Sequence, residues 1–170
     1  MTWRTWIWRG PFIVMFALMA LPMAALLIPI NLMDDADSDR VIGNSLMIVS
    51  FLVIALMHNW LSIRPGKIRL GFFPFYWRSL SSSDVRYVIR VEFSPWRDFA
   101  GWGMKGLAKS RNGLLLGGNP GRGIMIETHD RRRYVLSFAE VDPILRALAA
   151  QGYTISEVPL IDEESAPSES

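Results

Sequence analysis

Hydrophobic positions follow two different regimes along this chain. From Pro11 to Met33, and again from Val41 to Ile63, apolar residues run on with no charged side chain, each stretch about 23 residues long. About 20 helical residues cross a hydrocarbon core, and a charge at its centre costs about 3 kcal/mol or more. Both runs therefore read as membrane-spanning helices. The segment MDDADSDR between them carries four Asp and one Arg and reads as a short turn at Asp34–Arg40, so the two helices form a hairpin. Pro22 and Pro29 fall inside the first run, where proline removes a backbone donor and predicts a kink near Leu18–Pro22. A bent helix is the plainer reading than a hinge, because membrane helices tolerate proline.

Beyond Ile63 the pattern changes to alternation. KIRLGFF (Lys67–Phe73) and FYWRSLS (Phe75–Ser81) are rich in strand formers, SSSD is a turn, and VRYVIRVEF (Val85–Phe93) is the clearest strand. Its period of two sets Val85, Tyr87, Ile89, Val91 and Phe93 against Arg86, Val88, Arg90 and Glu92, which predicts one buried and one wet face. SPWRD breaks the pattern, Ala100–Ala108 reads as a glycine-loosened strand, and Gly113–Gly118 as a short apolar one. NPGRG is a turn, and Gly123–Thr128 with Arg133–Phe138 flanks HDRR as a hairpin. A helix follows, with Pro143 in its first turn, Gly152 at its end, and Ile144, Leu145, Leu148 and Ala149 as a docking stripe. About seven strands and one helix suit a twisted antiparallel sheet that curls into a half-barrel, with the helix closing its open corner.

The segments LSSSDVRYVIRVEF, FAGWGMKG and GRGIMIETHDRRRYVLSFAEVDPILRAL resemble the bacterial pleckstrin-homology-like (PH-like) domains of small membrane proteins. The resemblance covers roughly Leu61 to Ala150. It rests on Gly101, Trp102, Gly103, Met104 and Lys105, where that family usually has Arg in place of the Lys, and on Asp142 and Pro143 at the helix start. It implies one to three membrane spans ahead of the domain, and it carries over no catalytic residue. The expected class is α+β: a transmembrane helical hairpin in residues 1–63 (spans about 11–33 and 41–63), a cytoplasmic PH-like antiparallel half-barrel in 64–152 capped by a C-terminal helix, and an acidic, disordered tail in 153–170.

Charge changes this picture in one respect. Residues 64–150 hold twelve Arg and three Lys against seven acids, whereas 151–170 hold five acids and no base. A basic domain next to a span suggests anionic headgroups, at about 1 kcal/mol per basic residue near the surface. Arg4 and Arg9 precede the first run, and Arg64, Lys67 and Arg69 follow the second. Basic residues at span ends stay inside, which places both termini in the cytoplasm of a bacterial inner (cytoplasmic) membrane. Trp3, Trp6 and Trp8 stand where an interfacial aromatic belt would sit. The first run is too long for a cleavable signal peptide. The chain has no cysteine, so disulfides, thiolate metal sites and thiol nucleophiles are excluded.

Candidate binding residues fall in four places. Arg64, Lys67 and Arg69 follow the second run. Trp96 and Arg97 combine two residue types enriched at interface hot spots, although Trp96 packing on its own domain is an equal reading. Arg122 sits in GLLLGGNPGRG, which reads as an anion nest or, more plainly, as a hairpin loop, since it lacks the Lys-Ser/Thr ending of a P-loop. Arg131, Arg132 and Arg133 occupy a hairpin tip, as a lipid or acidic-partner contact or as a solvated turn. The ring-rich run GFFPFYW suits the bilayer interface, and its alternation equally places Phe73, Phe75 and Trp77 in the core; the reading taken is a mixture, with Phe72 and Tyr76 outward. His58 is one of two histidines and reads as an interfacial residue before a metal or haem ligand.

No histidine–carboxylate cluster, nucleophile elbow or triad spacing is present. The function expected is therefore non-enzymatic and free of cofactor or metal: a basic PH-like module at the cytoplasmic membrane face for an unknown membrane or cytoplasmic protein, with anionic lipid as a further partner and nucleic acid disfavoured. The alternative is an accessory or assembly subunit of a larger membrane complex, for which Ala17, Ala20, Ala24 and Ala25 permit close helix approach.

Overall fold

The computed structural model describes residues 1–6, 38–118 and 121–156. The first apolar run with Pro22 and Pro29, Trp8, residues 34–37 of the Asp-rich turn, Asn119, Pro120 and the tail from Glu157 lie outside the described residues.

The first sheet is a meander of β1 (Thr2–Trp6), β2 (His58–Arg64), β3 (Lys67–Phe73) and β4 (Tyr76–Ser81), each strand antiparallel to the next. Alternation decides its inner face: Asn59, Leu61 and Ile63 on β2 and Ile68, Leu70 and Phe72 on β3 are buried. Pro65 and Gly66 join these two strands, with Gly66 at φ +70°, which suits a tight turn with proline first and glycine second. On the outer face Trp60 lies across Gly71. A methyl group there would come within 2.7 Å of the indole nitrogen and 2.5 Å of the Tyr76 carbonyl, so only glycine fits.

The second sheet contains β5 (Val85–Glu92), β6 (Gly103–Lys105), β7 (Leu114–Gly117), β8 (Arg122–Thr128), β9 (Arg133–Ser137) and β10 (Ile155–Ser156), in the order β10-β5-β8-β9-β7-β6. Two of its pairings, β7 with β9 and β10 with β5, are parallel, which corrects the purely antiparallel arrangement expected. β9 returns from β8 in a hairpin and lies between β8 and β7, so it runs in the same direction as β7.

This sheet is apolar on both sides. Val85, Val88, Leu114, Leu116, Ile124, Ile126, Tyr134 and Leu136 join the first sheet in the main core. Tyr87, Ile89, Leu115, Met125 and Val135 form a second cluster, covered by Val91, Phe93 and Phe99. The face of β5 expected to be wet is exposed at Arg90 and Glu92 and half-buried at Arg86, but Val88 on it enters the main core. A register shift between Val85 and Tyr87 explains why Val85 shares a core with Val88 rather than with Tyr87: the extra residue switches the face.

Three helices complete the described chain: α1 (Ser38–Ala55), α2 (Pro95–Phe99) and α3 (Asp142–Ala149). On α3, Ile144 and Leu148 are fully buried, Leu145 is half-buried and Ala149 is exposed. Tyr153 then enters the main core and β10 pairs with the edge of β5, so residues 153–156 belong to the fold rather than to the tail expected from 153. α2 replaces an expected loop. The Ser94 hydroxyl accepts from the Arg97 N–H, the Asp98 carboxylate accepts from the Ser94 N–H at 2.8 Å, and Pro95 opens the helix.

The second apolar run divides. It is helical through Ala55 and becomes strand at His58, because Asn59, Leu61 and Ile63 have a core to fill. Among the described residues no helix is long and apolar enough to cross a membrane. α1 has 18 residues, about 27 Å at 1.5 Å per residue. Ile42, Leu46, Ile48, Val49, Leu52 and Ile54 on it are exposed.

Candidate functional site

The strand register gives the domain two ends. Trp6 pairs with His58, and His58 with Phe73, so the residue where β1 stops and the residue where β2 starts are neighbours in one sheet. α1 finishes at Ala55, three positions before His58. The long segment between β1 and β2 therefore leaves and returns at one point on the domain, beside the turn from β3 to β4.

That end is aromatic. Phe73, Phe75 and Trp77 are 45%, 57% and 74% exposed, while Phe72 is fully buried and Tyr76 half-buried. This reverses the outward assignment of Phe72 and Tyr76. Phe72 continues the inward set of Ile68 and Leu70, which forces Phe73 to the other side. His58 stacks on Phe73 with ring centres 5.3 Å apart, and its Nδ1 lies 2.8 Å from the Leu56 carbonyl. Asn59 is buried at the same end and donates to the Ser137 carbonyl at 2.6 Å, which ties this part of the first sheet to the second.

Loops of the second sheet meet here as well. Arg122 pairs with Glu92, and the Phe93 N–H donates to the Gly121 carbonyl. Trp96 and Trp102 pack edge-on at 4.9 Å, with Trp102 against Gly118. Trp96 is thus both packed on its own domain and 61% exposed. Arg97 pairs with Asp98 at 3.0 Å, and this hydrogen bond holds the Asp98 carboxyl below the usual carboxylate range. Arg122 lines a pocket of about 360 Å³ with Arg90, Arg146, Glu140 and Asp142, in which Arg90 and Asp142 form an ion pair.

The other candidates lie elsewhere. Arg64 and Lys67 face each other at the opposite end of the first sheet, where the Ser82 N–H donates to the Gly66 carbonyl. Six residues of strand, about 20 Å, separate them from His58. Arg69 stands between the two ends, exposed on the outer face. The sequence placed all three just past a membrane helix; β2 carries them away from it.

The arginine-rich tip joins β8 to β9, and two of its three members have structural duties. Glu127 is 1% exposed and meets Arg133 Nε at 2.5 Å, Arg86 Nη1 at 3.2 Å and the Tyr87 hydroxyl at 2.8 Å. Burial first, and the hydrogen bond to Glu127 second, push the Tyr87 phenol up to about 12. Arg133 also donates to the Arg111 carbonyl, and Arg132 pairs with Asp130 at 2.7 Å. Arg131 is exposed in a left-handed turn at φ +61°. No spacing in the sequence marks the Glu127 cluster, since its members come from three strands that only the β5–β8–β9 pairing joins. Among the described residues no group of three or more His, Asp or Glu is placed to hold a metal ion.

The outer face of the first sheet supplies a feature that the sequence reading missed. Arg4, Trp60, Gly71 and Trp77 form one row across all four strands, with Arg4 and Trp77 exposed. Gly71 and Trp77 lay in the GFFPFYW run singled out from sequence. Arg4 and Trp60 were hidden by their assignment to helix ends. No protein-family model, curated protein or solved structure matches the chain significantly.

Proposed function

We propose that this chain is an integral protein of the bacterial cytoplasmic membrane, in which a helical hairpin holds a non-enzymatic, PH-like binding module at the cytoplasmic face. One observation carries the reading: Trp6 and His58 are paired neighbours. A hairpin that crosses a bilayer twice must begin and end on one side, and a segment joining β1 to β2 begins and ends at one spot. The sequence between them holds the first uncharged run and the part of the second that precedes His58. The exposed apolar residues of α1 point the same way, since a helix that is hydrophobic on all sides belongs in a core or in lipid. Two packed sheets closed by α3 support the PH-like reading, from which the parallel β7–β9 pair departs.

Module and subunit are separable. In an alkaline carbonate wash of expressing cell membranes the chain stays in the pellet; its appearance in the wash overturns the membrane reading. Mild-detergent purification then yields the chain with a substoichiometric or exchangeable partner. Stoichiometric co-migration with other membrane subunits replaces the module by the accessory-subunit reading, which the uncovered apolar residues of α1 also favour.

A further inference from the structure

The first sheet is graded along its strands in a way that matches the depth profile of a bilayer surface. At the level of Trp6 and His58 stand Phe73 and, in the turn after it, Phe75, both exposed and apolar. Two residues along, about 7 Å, comes the row of Arg4, Trp60 and Trp77. Arg69 lies about 14 Å along, level with Thr2 and Ser62, and Arg64 and Lys67 about 20 Å. A headgroup layer is about 5–8 Å thick on each side of the hydrocarbon. Aromatic rings collect at its inner boundary and arginine at the phosphates.

We propose that this sheet stands end-on in the membrane surface, with Phe73, Phe75 and Trp77 seated in the headgroup–acyl boundary and Arg4 meeting the phosphates of anionic lipid. The proposal rests on the membrane reading above and adds to it a lipid-seated edge and an orientation. Three exposed aromatic residues within five positions are costly to leave in water, and a bilayer is the apolar phase nearest to a turn that adjoins the helix end. Charge fits the same occupant. Arg4 lies on the outer face, in the row next to the rings, and no acidic residue stands in that row or the next. Arg64 and Lys67 sit more than a Debye length of about 8 Å beyond the headgroups and contribute little at physiological salt.

The absence of cysteine from the sequence makes a direct test possible. Full-length Phe75→Cys, Trp77→Cys and Lys67→Cys, each carrying one environment-sensitive fluorophore, are reconstituted into phosphatidylcholine vesicles with and without phosphatidylglycerol. Labels at positions 75 and 77 are quenched several-fold more by lipid-borne nitroxide than the label at 67, and the order reverses for aqueous iodide. Adding Arg4→Glu shifts the label at 77 toward water in the anionic vesicles, whereas adding Arg64→Glu does not. Iodide-accessible labels at 75 and 77 in a chain that survives the alkaline wash overturn this inference and leave the membrane reading standing. Loss of the chain in the wash removes that reading itself. Equal nitroxide quenching at all three positions means a sheet lying flat, and shielding of 75 and 77 from both quenchers means a protein occupant; either result overturns the end-on seat.

Discussion

Glu127 concentrates the residue-scale chemistry of this fold. Its carboxylate is sealed from water with two arginines and a phenol around it, while the arginines keep about a third of their side chains exposed. Removing it leaves Arg86 and Arg133 without their shared partner and Tyr87 with an unfilled hydroxyl. Glu127→Ala is expected to cost about 2–4 kcal/mol, below the fully buried case because water still reaches the guanidinium groups. Urea unfolding of detergent-solubilised protein measures it; a loss under 1 kcal/mol would sink the assignment. Tyr87 adds a pH signature. Its folded pKa is raised from 10.0 to about 12, so its contribution is whole below pH 10 and disappears as pH climbs through about 12. Wild type should lose stability relative to Tyr87→Phe across that window alone, and parallel stability curves would contradict the burial of the phenol.

At the scale of elements, legibility followed periodicity. Lys67–Phe73, Gly123–Thr128 and Arg133–Phe138 alternate or run apolar, and each is a strand at or close to those bounds. The helix after Asp142 was legible from Pro143 and its stripe. Elements held by tertiary pairing were not. β10 is two residues long and exists because the open edge of β5 needs a partner. α2 carried a readable signal that was passed over, the Ser-Pro-x-x-Asp cap of Ser94, Pro95 and Asp98. The burial of Tyr153 predicts a sharp boundary for truncation. A chain ending at Gly152 should be about 3 kcal/mol less stable than one ending at Ser156, through loss of a core aromatic and of the β10 pairing. Equal melting of the two would show that β10 and Tyr153 add nothing.

For the whole molecule, the domain boundary moves. Residues 64–152 looked like an independent unit, yet β1 and all of β2 except Arg64 lie before position 64 and supply half of the first sheet, including Leu61 and Ile63 of the core. The fragment 64–152 is expected not to fold, giving collapsed amide dispersion in a heteronuclear NMR spectrum. A chain in which a turn of about four residues replaces positions 7–57 should fold, because Trp6 and His58 are already paired across an antiparallel ladder that a short hairpin loop closes. A folded 64–152 fragment would refute the shared sheet, and an unfolded short-loop chain would refute the β1–β2 register. The same pairing decided the candidate site. It sent Arg64 and Lys67 to the far end and brought Arg4 beside Trp60.

By itself the sequence determined what composition and period determine: two uncharged runs, a basic α+β region after them, strands where apolar residues alternate, and a C-terminal helix with its proline. These are local properties, written in residues a few positions apart. Only the tertiary structure decided that His58–Ile63 is strand rather than helix end, that the aromatic residues of β3 and β4 turn Phe72 inward and Phe73 outward, and that Arg133 serves Glu127. The physical reason is common to all three. A buried face is set by its partner across the sheet, and the partners here stand about 60 residues apart in β1 and β2, or on strands that meet only when the two sheets close over one core.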